Sequence, residues 1–297
     1  MNYGNKILDP MIVAKLSTML LRARFVVDGY FSGLHESPLK GYSLEFAQHR
    51  EYSQGDELKH LDWKVFARSD RYYVKQYREE TSLRCQLLVD TSASMGYGSA
   101  GISKITYAGI MAAALSYLMI KQQDAVGLTT FDSGIKKHIP SKQTSQHLSV
   151  IMNELEAMQA SEKTGFTGAL QEFAAYIKKR SLIIVISDLF DEQAEVMKAL
   201  KNFRFKKNEI IVFQLLDRAE LELPYGESVL YEDLETGEKI LSEPEIIRRE
   251  YRSAMNAFTE NYKLNCRNSD IDYCLVNTSQ PLEVTLGQYL SRREKLR

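Results

Sequence analysis

The sequence predicts an α/β fold: a doubly wound, mostly parallel sheet flanked by helices, of Rossmann-like type. Two observations carry this expectation. From Cys85 onward, short continuous apolar runs alternate with longer helical segments, and Leu182-Ile183-Ile184-Val185-Ile186 is the clearest such run. Runs of this kind fit strands covered on both faces by helices. Composition agrees, since 44% of the 297 residues are hydrophobic and 26% charged, ordinary values for a globular protein of one large domain or two modest ones.

The elements follow in order. Asp9-Pro10 reads as a helix cap followed by proline at the first helical position, and Ile12, Leu16, Met19 and Leu20 then share one helical face. Gly29 to Lys40 has turn composition. Gly41 to Glu80 is polar and aromatic with little periodicity, and Tyr72–Tyr77 is its best strand candidate. Five strands are expected at Gln86–Asp90, Ala125–Phe131, Leu182–Ser187, Glu209–Leu216 and Asp270–Val276. Helices are expected at Ser103–Lys121, Thr144–Met158, Gly168–Lys179, Asp191–Phe203, Pro244–Lys263 and Pro281–Glu294. Val229 to Ile240, with Gly237 between apolar ends, reads as a hairpin. The expected division is 1–80, an N-terminal helix and a charged segment packed on the main domain, and 81–297, the α/β domain.

A formal net charge of −1 gives no electrostatic reason to expect nucleic acid or an anionic membrane as partner. Three cysteines, Cys85, Cys266 and Cys274, form neither a zinc spacing nor a disulfide framework, so reduced thiols in a reducing compartment are expected. Asp9-Pro10 and Lys15 interrupt any leader-like stretch, and Tyr107 to Ile120 is too short to span a bilayer. A cytoplasmic protein without membrane insertion is therefore expected. The five histidines lack zinc-site spacing, and neither a phosphate-binding P-loop nor a G-x-S-x-G elbow is present.

Chemistry concentrates at Asp90-Thr91-Ser92-Ala93-Ser94, directly after the first strand. One carboxylate and two hydroxyls at alternate positions offer three oxygens at the strand's carboxyl edge, a donor set suited to a hard cation such as Mg²⁺. Ligands of open α/β sheets bind beyond that edge. Two other segments supply oxygens there: Asp188 after Leu182–Ser187, and Thr164 and Thr167 in the loop Lys163-Thr164-Gly165-Phe166-Thr167-Gly168.

These residues resemble the metal-ion-dependent adhesion site of the von Willebrand factor type A domain. The match runs through Asp90, Ser92 and Ser94, then Thr164, then Asp188, with Thr167 the alternative threonine. The resemblance implies that Ser92, Ser94 and Thr164 contact Mg²⁺ (or Mn²⁺ or Ca²⁺) directly. Asp90 and Asp188 would act mainly through water, leaving one position for a partner's acidic side chain.

A second string, Gly41-Tyr42-Ser43-Leu44-Glu45-Phe46, Arg50-Glu51-Tyr52, Gly55-Asp56, Leu61-Asp62-Trp63 and Ala67-Arg68, resembles the bacterial domain of unknown function number fifty-eight. That resemblance implies an adaptor working with a MoxR-type AAA+ ATPase in assembly or maturation of other protein complexes, and no catalytic residue of its own. The near balance of charges in this segment points to internal pairing, with Trp63 as anchor. Two rivals stand beside the adaptor. One is a Mg²⁺-dependent phosphatase or phosphotransferase with Asp90 as nucleophile, against which Ser92 occupies the place of a second carboxylate and no suitably placed lysine is evident. The other is a structural interaction protein with a vacant metal site.

Overall fold

The computed structural model describes residues 10–33, 49–51, 73–75, 83–99, 101–161, 165–226, 228–232, 238–283, 285–287 and 290. By contacts the chain divides into two units, 1–35 with 83–297, and 36–82. The smaller unit is described only by an antiparallel pair, β1 (His49–Glu51) and β2 (Tyr73–Lys75). The rest of the segment from Gly41 to Glu80, Trp63 included, lies outside the described residues.

The larger unit opens with two helices, α1 (Pro10–Ala14) and α2 (Met19–Gly33). The expected single helical face is thus split by a turn at 15–18. There follow β3 (Arg84–Asp90), a 3₁₀ turn (Ala93–Gly96), α3 (Lys104–Lys121), β4 (Ala125–Phe131), β5 (Ile135–Lys142) and α4 (Ser145–Ala157). Next come α5 (Phe166–Phe173), β6 (Leu182–Ser187), α6 (Gln193–Phe205), β7 (Glu209–Leu216) and α7 (Arg218–Glu222). The hairpin β8 (Val229–Glu232) and β9 (Lys239–Ser242), α8 (Pro244–Asn268) and β10 (Asp272–Asn277) follow. Helical residues at 282–283, 285–287 and 290 stand where the last helix, Pro281–Glu294, is expected, and positions 284, 288–289 and 291–294 lie outside the described residues.

Six strands form one sheet in the order β10-β7-β6-β3-β4-β5, parallel except for the β4–β5 pair. This is the expected doubly wound α/β architecture. Alternation along each strand divides the core. Leu87, Val89, Leu128, Ile184, Ile186 and Phe213 join α2, α3 and α4 in one apolar cluster. On the other face Leu88, Ile183, Val185 and Val212 pack with α5, α6 and α8. Ala23, Val26 and Val27 of α2 belong to the first cluster, so the N-terminal helices are part of the sheet's own core.

Local chemistry sets the ends. Ser103 and Thr144 accept the backbone N–H of Thr106 and His147, capping α3 and α4. The sequence reading omitted β5, because Ile135-Lys136-Lys137-His138-Ile139-Pro140 looks like a polar loop; lysines and proline are tolerated on an edge strand. The predicted helix Gly168–Lys179 is corrected to Phe166–Phe173. Phe173 is its last fully buried residue, and Tyr176 N–H tightens onto the Phe173 carbonyl at 2.9 Å. Helix α8 runs past Lys263 because Cys266 continues the buried stripe of Met255, Thr259 and Tyr262. Strand β10 starts later than expected, since Asp270 takes a left-handed φ of 56° after that helix. None of the three cysteines is in a disulfide, and all three are buried. Among the described residues no helix is long and apolar enough to cross a membrane.

Candidate functional site at the carboxyl edge of the sheet

After β3 the chain crosses to β4 on one side and later returns to β6 on the other. The switch point therefore lies between the carboxyl ends of β3 and β6, where α/β sheets bind ligands. Asp90 ends the first of these strands and Asp188 follows the second.

The β3 loop is fixed by its own backbone. Thr91 N–H and Oγ1 both donate to the Phe131 carbonyl, at 2.7 and 2.8 Å, extending the sheet past its last paired residue. Ser92 N–H donates to Asp90 Oδ1 at 2.8 Å, and Met95 N–H closes the 3₁₀ turn on the Ser92 carbonyl. This turn brings Ser92 Oγ and Ser94 Oγ to 3.2 Å of each other. Asp90 and Ser92 are buried, and Ser94 is half-buried.

On the β6 side, Ser187 Oγ donates to Asp90 Oδ2 at 2.5 Å and accepts Leu189 N–H at 2.9 Å. Leu189 has a left-handed φ of 60°, uncommon for a branched residue, and is held there by complete burial and by Tyr262 Oη donating to its carbonyl. That bend aims the Asp188 main chain into the sheet edge, where its carbonyl accepts Gln214 Nε2 at 2.8 Å. Asp188 Oδ1 accepts Phe190 N–H at 3.3 Å.

The loop leading into α5 touches both of these. Ser161 N–H donates to the Thr91 carbonyl at 2.7 Å, and Thr167 N–H to Asp191 Oδ2 at 3.3 Å. Gly165 permits close packing on the turn between β4 and β5, because a Cβ there would lie 2.8 Å from Ser133 Cα. Thr164 lies outside the described residues. The alternative, Thr167, carries a buried Oγ1 without a hydrogen-bond partner.

Sequence reading missed three groups. Ser187 is one. The others are Lys104 and Glu220: Lys104 Nζ, fully buried, lies 2.8 Å from Asp188 Oδ2 and 2.5 Å from Glu220 Oε1. Glu220 is held by the α7 capping box, its Oε2 accepting Asp217 N–H at 2.7 Å. One signal could have found Lys104: a cation in a helix's first turn opposes the helix dipole and needs a local reason. The sequence shows no lysine evidently placed to stabilise a phosphate; Lys104 does stand at this edge, but paired with Asp188 and Glu220.

Around Lys104 and Asp90, three acidic side chains (Asp90, Asp188, Glu220) gather about one ammonium. Burial and then the Asp188 charge push the Asp90 carboxyl up to about 7, against the opposing hydrogen bonds of Ser187 and Ser92. Burial likewise raises Glu220. For Lys104, burial works to lower the pKa, but the Asp188 and Glu220 carboxylates outweigh it and hold the ammonium charged. Among the described residues no cluster of three or more His, Cys, Asp or Glu side chains could hold a metal ion. A cation here would have to rely on hydroxyls beside Asp90 and Asp188. The facing Ser92 and Ser94 oxygens beside Asp90 fit that donor set, and the orphaned Thr167 Oγ1 is a hydroxyl of the right kind in the neighbouring helix.

The fold and site describe an α/β domain with oxygen side chains gathered at its switch point. Residues 48–261 match the family described as protein of unknown function DUF58, and the chain belongs to that family. Uncharacterized proteins of Mycobacterium tuberculosis and Mycobacterium bovis are 27% identical over 232 residues, covering 77% of this chain and 73% of theirs. Among solved structures, the conserved hypothetical protein BatB from Bacteroides thetaiotaomicron is similar at TM-score 0.49 and 19% identity, over 72% of this chain and 99% of that one. The SpRpn10 VWA domain is similar at TM-score 0.39 and 14% identity, over 70% and 95% of the two chains.

Proposed function

We propose that this protein is a metal-dependent protein-binding module. In this reading Asp90, Ser92, Ser94, Asp188 and one threonine of the α5 loop, Thr164 or Thr167, hold Mg²⁺, with Mn²⁺ or Ca²⁺ as possible substitutes. The bound cation supplies an electrophilic point for the carboxylate of a partner protein. The observation that carries the reading is the meeting of the β3 and β6 strand ends at the switch point, where Ser187 Oγ donates to Asp90. There two serine hydroxyls face each other at 3.2 Å beside a carboxylate already burdened by the charge of Asp188. A hard cation with oxygen ligands relieves that charge.

The binding role is non-catalytic. Both Asp90 oxygens already accept hydrogen bonds, from Ser92 N–H and Ser187 Oγ, and the side chain is buried, which suits a fixed acceptor better than an attacking nucleophile. Lys104, which reaches Asp188 at this edge, is engaged by two carboxylates and is not free to stabilise a phosphate. The cellular role we propose is that of a cytoplasmic adaptor for a MoxR-type AAA+ ATPase in assembling or maturing other complexes. Its support is what the family resemblance implies, together with three buried cysteines that form no disulfide.

The test is capture of a purified MoxR-type ATPase from the same organism by the immobilised full chain. Capture is expected in Mg²⁺, and is expected to be lost in chelator and in Asp90→Ala. Capture that is equal with and without the cation contradicts the metal-dependent mode, and no capture under any condition contradicts the choice of partner.

A further inference from the structure

Lys104 is an unusual residue for a cation site. Its ammonium is fully buried at the first position of α3, where the helix dipole repels it. It is held on two sides by Asp188 and Glu220, and the Phe190 ring lies 4.9 Å away on another. An ammonium leaves water only where well-placed carboxylates replace the water. Here they are placed by separate devices: Asp188 by the left-handed bend at Leu189, Glu220 by the capping box with Asp217. Such independent support marks the lysine as a built part of the site's electrostatics.

Resting on the cation reading above, we infer that Lys104 is a fixed internal counter-ion that occupies one oxygen of Asp188 and keeps the site's own affinity for a divalent cation low. One positive charge is already installed beside the carboxylate that a second cation would approach. Repulsion between charges a few ångströms apart weakens cation binding by roughly tenfold or more, even at the effective dielectric of about 20 that suits protein sites. Tight binding then requires the additional negative charge of a partner's carboxylate. Lys104 is thus a positioning residue that makes cation and partner binding mutually dependent, a coupling that is reciprocal by linkage.

The experiment titrates the full chain with Mg²⁺ or Mn²⁺ alone, without partner, by calorimetry, for wild type, Lys104→Met, Lys104→Met/Glu220→Gln and Asp90→Ala. Lys104→Met is expected to bind the cation at least tenfold more tightly than wild type and to regain on cation addition the stability it loses without it. The double variant removes one of the two carboxylates left unpaired, and serves if the single variant does not fold. A folded variant that binds no more tightly than wild type, while Asp90→Ala loses binding, overturns the counter-ion role and leaves the metal reading intact. No cation binding by any form overturns both.

Discussion

Asp90 does its work through three neighbours. Its carboxylate is bonded by Ser92 N–H and Ser187 Oγ, and is opposed by the charge of Asp188. The part of this arrangement that lies within five consecutive residues was legible in the sequence, because alternate positions after a strand share one edge. Ser187 and Lys104 were not legible, since each meets its partner across more than eighty residues of chain. Thr167 offers a test at this scale. Its buried hydroxyl has no partner, so Thr167→Val should leave the metal-free protein within about 0.5 kcal/mol of wild type, or slightly more stable. Paired with Thr164→Val in a thermal-shift series, it also identifies the threonine ligand. One of the two variants should lose most of the Mg²⁺ response, and full responses in both would contradict a threonine in the shell.

Within the elements, the central parallel strands were read with little error, because a continuous apolar run leaves few alternatives once helices flank it. The antiparallel β5 was missed because its pattern is that of an edge strand. Its pairing with β4 is irregular between Val126 and Leu128, and there the Gln86 side chain inserts, donating to Thr129 Oγ1 at 2.9 Å and to the Ile139 carbonyl at 3.3 Å. Gly127 makes room for it: a Cβ at that position would lie 2.2 Å from Gln86 Oε1 and 2.5 Å from the Ile139 carbonyl oxygen. Gly127→Ala should therefore cost about 1–3 kcal/mol in urea unfolding, through overpacking against backbone that cannot yield. Unchanged stability would mean that the strand pair is looser than described.

At the scale of the whole molecule, the N-terminal helices matter most for how the chain can be divided. Sequence alone puts a boundary near residue 80, yet Val13, Met19, Ala23, Val26 and Val27 are buried in the core on one face of the sheet. Uncovering side chains of this kind costs about 1.5–3 kcal/mol each for the larger ones, against a total stability of about 5–15 kcal/mol for a typical domain. A fragment beginning at residue 83 should accordingly fail to unfold cooperatively. A sharp transition at the full-length melting temperature would contradict this. The boundary was illegible because the segment between α2 and β3 interrupts a core whose two parts are distant in sequence.

The central claim is that the switch-point oxygens take a divalent cation, and thermal unfolding of wild type and Asp90→Ala with and without excess Mg²⁺ tests it most directly. At about one hundred times its dissociation constant, a ligand bound only to the folded state adds about 2.7 kcal/mol. For a domain of this size that is a rise of about 5–10 °C. The account predicts that rise in wild type and none in Asp90→Ala. Equal responses in the two proteins, or none in wild type at saturating Mg²⁺ and Mn²⁺, would contradict it.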